Sequence, residues 1–203
     1  IGSAVGAGTL TGNVTLNGNA NLSSTTGSDL TISGVIDETT NTDTVTKTGG
    51  GTVVLSGTNT YTGGTTINDG TLTVEGTNAK AGTGVIDVAA GILNINDTAT
   101  LNNQVQITSG TIGNTSGAGE LSGSLTLNGV SNLVSSGTSL TLSGVIAETA
   151  GTDSVTIDGG SVIYSNDNTY TGTTTINSGA LTISGAGDAG FGAIAVGANQ
   201  LNI

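Results

Sequence analysis

Few residues of this chain could carry out acid–base or nucleophilic chemistry, and they are scattered. The 203 residues include two lysines, Lys47 and Lys80, and fourteen acidic residues, but no histidine, arginine or cysteine. Serine catalysis therefore lacks a histidine base, and there is no thiolate to act as a nucleophile or metal ligand. Neither lysine recurs at the matching point about 110 residues away, so a repeated lysine base is not indicated. The composition argues against an enzyme.

Metal binding is the next chemistry to consider. Asp37 and Glu38 are adjacent, but about 110 residues later the pair reads Ala147 and Glu148, so the acidic pair is not repeated. The stretch 185–192, "GAGDAGFG", does not recur at the nine-residue period of calcium-binding solenoids. We expect no metal site and no cofactor. A weak surface Ca²⁺ site is the remaining alternative.

The charge balance indicates which partners to exclude. A formal net charge of −12 leaves no basic patch for phosphate, so we expect neither nucleic-acid binding nor attraction to an anionic membrane. The spread of acidic residues along the chain favours solubility. No apolar run reaches the length of a transmembrane helix, so we expect no membrane insertion of this segment.

The strongest feature is an internal repeat. "NTYTGGTTINDGTLTVEG", residues 59–76, returns as "NTYTGTTTINSGALTISG", residues 168–185. Further blocks match at offsets of about 108 to 111 residues, and only segment 96–111 has no second copy. The sequence therefore predicts one structural segment over 1–203, made of two units at about 1–111 and 112–203. Neither end resembles a cap, so we expect the chain to come from a longer tandem array.

A shorter rhythm inside each unit indicates the fold. Short runs of Val, Ile and Leu alternating with Thr or Ser recur roughly every 20 residues and end in Gly, Asn-Gly or Asp-Gly. No proline interrupts these strands. The pattern predicts an all-β solenoid, a parallel β-helix of about ten rungs that is uncapped at both ends. A β-sandwich is the alternative, because turns spaced eight to twelve residues apart also fit the sequence.

The repeated phrase resembles a known family. Residues 49–76, "GGGTVVLSGTNTYTGGTTINDGTLTVEG", closely resemble the passenger-associated repeat of bacterial autotransporters. The second copy, 158–185, departs from the motif at residues 165–167 and at Thr173, which replaces the second Gly of "TGG". The positions that we expect to have structural roles in the motif are Asn59, Tyr61, Gly63, Gly64, Gly70, Asn168, Tyr170, Gly172 and Gly179.

The resemblance implies a right-handed β-helix that is secreted and exposed at a bacterial surface. It implies a non-catalytic stalk that supports adhesion and secretion-coupled folding, anchored at the outer membrane through a region outside this chain. Partners would be molecules of a host or neighbouring cell, reached through the parent protein. An alternative is an extracellular filament or surface-layer subunit, since open β-helix ends can template end-to-end addition.

Two features could indicate carbohydrate chemistry instead. Asn41, Thr42 and Asp43 spell "NTD", which resembles the start of one motif of β-helical polysaccharide hydrolases, but the rest of that motif is missing. A polysaccharide-degrading enzyme is therefore a remote alternative. Tyr61 and Tyr170 hold the same repeat position about five rungs apart, too far to form one sugar clamp. We expect each tyrosine ring to cover a corner of the coil.

Overall fold

The computed structural model describes residues 1–3, 6–39, 42–185, 187–197 and 200–202. These residues form strands and turns but no helix, and therefore no helix that could cross a membrane. The strands are β1 Gly2–Ser3, β2 Gly8–Leu10, β3 Val14–Leu16, β4 Ala20–Ser24, β5 Asp29–Ile32, β6 Ile36–Glu38, β7 Val45–Thr48, β8 Thr52–Leu55, β9 Thr65–Ile67, β10 Thr71–Glu75, β11 Ile86–Val88, β12 Ile92–Asn96, β13 Thr100–Leu101, β14 Val105–Ile107, β15 Gly110–Asn114, β16 Ala118–Leu121, β17 Leu125–Leu127, β18 Ser131–Ser135, β19 Ser139–Leu142, β20 Ile146–Glu148, β21 Val155–Tyr164, β22 Thr174–Ile183, β23 Ile194–Val196 and β24 Gln200–Asn202.

Each named strand pairs in parallel with a strand one coil earlier or one coil later in the chain. Paired residues are separated by 19 residues at the closest, as in Thr52 with Thr71, and by 25 at the widest, as in Ala20 with Val45. Parallel pairing at this short separation requires the chain to complete a full turn between partners. The described residues form a parallel β-solenoid of about nine turns.

Each coil contributes three strand positions, so the solenoid has three faces. The first face is the stack β1-β4-β7-β9-β11-β14-β17-β20. The second face contains β2, β5, β8, β10, β12, β15 and β18, followed by the first halves of β21 and β22 and by β23. The third face begins with β3 and β6 and later contains β13, β16, β19, the second halves of β21 and β22, and β24. The second and third faces merge into one sheet where β21 and β22 run through the corner.

The core is a continuous column of aliphatic side chains along the solenoid axis. On the second face, Val53, Leu72, Leu93, Ile112 and Leu133 stack in register and are fully buried. Each such side chain contributes roughly 1.5–3 kcal/mol when it leaves water. A single coil exposes both flanks of its apolar residues, so burial is complete only when coils stack.

The fold prediction is confirmed. The described strands are all paired in parallel, which contradicts the β-sandwich alternative, and about nine turns are present where about ten were expected. The right-handed sense of the coil and the open ends remain predictions.

Candidate functional site: a staple across three coils

The buried asparagine of the repeated phrase joins three successive coils. The Asn59 Oδ1 atom accepts a hydrogen bond from the Ile36 backbone N–H, in the preceding coil, at 2.7 Å. The Asn59 Nδ2 atom donates to the Lys80 carbonyl, in the following coil, at 2.6 Å. Asn59 and its bond to Ile36 are buried, so water cannot replace that bond, and the bond to Lys80 is partly buried.

The second copy reproduces this arrangement. Asn168 accepts from the Ile146 N–H at 2.8 Å and donates to the carbonyl of Asp188. We call the Asn59 and Asn168 contacts, together with the tyrosine and glutamate contacts described next, the staple. The staple satisfies backbone groups that a corner between strands would otherwise leave without partners.

The tyrosine of the staple lies inside the solenoid. The Tyr61 hydroxyl lies 2.6 Å from the Thr65 Oγ1 atom, and Thr65 donates its own proton to the Ala81 carbonyl at 2.9 Å. The hydroxyl of Tyr61 is therefore the donor in the first bond. Burial raises the pKa of the Tyr61 phenol well above its ordinary range, so the ring stays neutral.

Tyr170 repeats this geometry with Thr174 and the Ala189 carbonyl. Both tyrosine rings are fully buried. Neither ring is available to stack on a sugar at the surface.

A glutamate completes the staple on the outside of the corner. The Glu38 Oε1 atom accepts from the backbone N–H and the Oγ1 hydroxyl of Thr62, at 3.1 and 2.6 Å. Its Oε2 atom accepts from the Asp43 N–H at 2.9 Å. The hydroxyl of Thr62 is the largest cause of a lowered pKa at Glu38, because these donors favour the carboxylate.

The second copy has the same glutamate. Glu148 accepts from the N–H and hydroxyl of Thr171 and from the Asp153 N–H, and the Thr171 hydroxyl is again the largest cause of its lowered pKa. The role of this glutamate was not predicted, because the acidic pair of Asp37 and Glu38 is not repeated as a pair in the second copy. The available signal was the glutamate of "GVIxET", which both copies keep.

The motif glycines lie where the backbone of one coil touches the next. A β-carbon at Gly63 would collide with the Asp43 backbone, and one at Gly172 would collide with the Asp153 backbone. Gly70 has a φ of +67° and Gly179 one of +82°, a conformation that other residues adopt at a cost. Gly64 also has a positive φ, of +93°.

One buried lysine was not anticipated. Lys47 occupies an interior position, in register between Leu22 and Ile67, and is fully buried. Its Nζ donates to the carbonyls of Thr48, Gly49 and Asp69 at 3.1, 2.6 and 2.9 Å. Burial lowers the pKa of this amine, whereas the negative charge of Asp69 raises it. The only indication in the sequence was the place of Lys47 in its strand, where the alternation with Thr46 and Thr48 would put an inward, apolar side chain.

The described residues do not assemble a reaction centre from the carboxylates considered in the sequence. Thr42 and Asp43 lie at a corner, Asp43 accepts from the Gly18 N–H at 3.0 Å, and Asn41 lies outside the described residues. Within the described ranges, no group of three or more acidic side chains could hold a metal ion.

Clefts of about 130, 220 and 230 Å³ lie on the described surface. The lining of the third contains one carboxylate, that of Glu120, and the linings of the first two contain none. Within these three linings, no pair of carboxylates is present to act as acid and base.

Comparison with protein families identifies the stapled region. The model of the passenger-associated transport repeat matches residues 45–74 and 158–183. The chain carries two passenger-associated transport repeats. The first repeat runs from β7 into β10 and contains Asn59 and Tyr61, and the second runs from β21 through β22 and contains Asn168 and Tyr170.

The match confirms the resemblance to autotransporter passenger repeats. The repeat family implies a secreted protein related to the cell surface. Repeat and solenoid together fit a segment of an autotransporter-like passenger. No curated protein and no solved structure matches the chain significantly.

Proposed function

We propose that the chain is a non-catalytic stalk segment of a bacterial autotransporter passenger, exposed outside the outer membrane and anchored through another region of the parent protein. The observation that carries the proposal is the staple, whose asparagine lies in each transport repeat and binds equivalent backbone groups in the coils before and after it. The polar groups of the staple bind the chain's own backbone, so few hydrogen-bond donors or acceptors are left for a substrate. The staple therefore serves rigidity and ordered folding.

The staple makes the addition of each coil depend on its neighbours. The Asn59 amide engages Ile36 in the coil before it and completes its bonding with Lys80 in the coil after it. A chain emerging from a pore would thus place each coil on an existing template and gain buried apolar area at each step. Stepwise folding on one side of a membrane opposes backward movement through the pore, with no need for nucleotide hydrolysis.

Surface display tests this function. The chain would replace the passenger of an autotransporter in living cells, and exposure would be measured with added protease and antibody. We expect the native chain to reach the surface and a Y61A/Y170A variant to stall, because each substitution empties a buried corner. The matched control is T66A/T175A, which changes half-buried positions one residue from the staple threonines. Equal display of the staple variant and the control would contradict the proposal.

Adhesion is the role that we propose for the parent protein, with host or neighbouring cells as the partners. A stalk of about nine turns places a binding region about 45 Å from its anchor at one strand spacing per turn. Beads coated with the parent protein should bind cells, and beads coated with this segment alone should not. Binding by the isolated segment would assign the adhesive surface to the stalk itself.

A filament subunit is the second candidate, favoured by the parallel pairing of the described strands from coil to coil. The same pairing between two copies of the chain would join them end to end. Electron microscopy of the purified chain at increasing concentration should then show fibres, and particles of constant length would exclude this candidate.

A further inference from the structure

Equivalent strands of the two sequence copies lie on different faces of the solenoid. Strand β6 is on the third face, but its counterpart β20 is on the first. Strand β5 is on the second face, and its counterpart β19 is on the third. The segments that carry Tyr61 and Tyr170 follow the same shift. The Thr60 N–H donates to the carbonyl of Ile36, in β6 on the third face, and the Thr169 N–H donates to that of Ile146, in β20 on the first face.

Counting strand positions gives the size of the shift. Between β3 and its counterpart β17 the chain adds fourteen named strands, β4 to β17, and two further third-face segments, at 58–61 and 79–83. These are sixteen positions, and three positions make one coil. The second copy therefore starts five coils and one face after the first.

The unmatched segment 96–111 accounts for this remainder. It contains β13 and β14, two strand positions with no counterpart, and joins β12 to β15. The matched part of the first copy supplies the other fourteen positions, from β1 to β12 with the two third-face segments. If segment 96–111 contained one strand position instead of two, the total would be fifteen positions, which is five complete coils.

We infer that segment 96–111 is a phase-setting spacer, which rotates the second copy by one third of a turn about the solenoid axis. Each surface of the first copy is thereby presented on the next face by the second copy. A partner that recognised the repeat surface would meet it in directions about 120° apart, and so would bind around the rod instead of along one side.

The rotation also affects contacts between rods. With the same spacer between units, a surface would return to the same face only at every third unit, after sixteen coils or roughly 77 Å. Copies in phase would instead place identical strips of sheet every five coils on one side. A rod with identical strips on one side would present the same surface repeatedly to a neighbouring rod, and the rotated arrangement removes that regularity.

Cysteine cross-linking across the junction tests the rotation directly. The chain has no cysteine, so pairs can be introduced into the full-length protein without removing any native residue. In the rotated arrangement, Gln106 is the register partner of Thr126 and Thr100 is that of Glu120. In-phase copies would instead place β17 above β13, so that Thr126 would neighbour Thr100.

We expect Q106C/T126C and T100C/E120C to cross-link with a short bifunctional thiol reagent, and T100C/T126C to remain uncross-linked. All three variants change half-buried or exposed positions, and circular dichroism would establish that each keeps the native β spectrum. Cross-linking of T100C/T126C in the folded protein, or none in either register pair, would overturn the inference.

Discussion

At the scale of single residues, the third tyrosine differs from the two staple tyrosines. The Tyr164 ring is fully buried. Its hydroxyl lies near that of Tyr170 but makes no hydrogen bond of normal geometry within the described residues, whereas the Tyr61 hydroxyl donates to Thr65. A buried hydroxyl without a partner costs free energy of about 1–3 kcal/mol. We therefore expect Y164F to leave the free energy of unfolding unchanged or to raise it by about 1 kcal/mol.

The matched variant Y61F should lower the free energy of unfolding by about 1 kcal/mol, because it removes a satisfied buried bond. Urea denaturation followed by circular dichroism would measure both variants. A larger loss in Y164F than in Y61F would show that Tyr164 has a polar partner after all.

The buried Lys47 ammonium holds three carbonyl oxygens at one corner. Replacement by methionine keeps most of the unbranched apolar stem but removes the ammonium that donates to those oxygens. Desolvation is the largest cause of the lowered pKa of this amine, so the three bonds of 2.6 to 3.1 Å offset the cost of burying the charge only in part. Losing the amine would still leave its three carbonyl partners without this donor.

We expect K47M to lower the free energy of unfolding by about 2 kcal/mol, measured in urea. K80M is the control, since the Lys80 side chain is exposed, and its effect should stay within about 0.5 kcal/mol. A K47M protein as stable as K80M would mean that the corner carbonyls need no cation.

At the scale of the element, the asparagine of the staple links coils that are distant in sequence. N59A would strip the partners from the buried Ile36 N–H and from the partly buried Lys80 carbonyl. Each unsatisfied group costs about 1–3 kcal/mol, so we expect a loss of about 2–4 kcal/mol in the free energy of unfolding.

The control for N59A is N132A, which changes a half-buried asparagine in the outward phase of β18. Amide hydrogen exchange would show where the loss occurs. Protection should fall in β6 and in the strands next to Lys80, one coil on either side of the substitution. Loss confined to the coil of Asn59 would contradict the proposed coupling between coils.

The sequence predicted these elements well and their pairing less well. The spacing of Leu and Val runs was enough to predict a parallel solenoid. The tyrosine rings were expected to cover a corner of the coil, and their full burial was not predicted. The Glu38 contacts were missed because its partners are backbone N–H groups of Asp43 and Thr62, which a sequence pattern does not display. The sequence also did not predict on which face each strand lies, because the length of a coil varies from 19 to 25 residues.

At the scale of the whole molecule, stability should depend on pH through the two glutamates of the staple. The pKa values of Glu38 and Glu148 are lowered in the folded protein from an ordinary value of 4.5, chiefly by the hydroxyls of Thr62 and Thr171. A carboxyl with a lowered folded pKa stabilises the fold above its unfolded pKa, because the unfolded chain binds the proton more readily. This contribution is complete above about pH 4.5 and is lost as the pH falls through the lower, folded pKa.

We therefore expect the urea midpoint of the native protein to fall between about pH 5 and pH 3. The double variant E38Q/E148Q should start from a lower midpoint at pH 6 and show a smaller fall, since it has already lost both carboxylates. D158N, which removes an exposed carboxylate from β21, should keep the native pH dependence. Parallel curves for E38Q/E148Q and the native protein would show that other carboxylates, and not the staple, govern stability in acid.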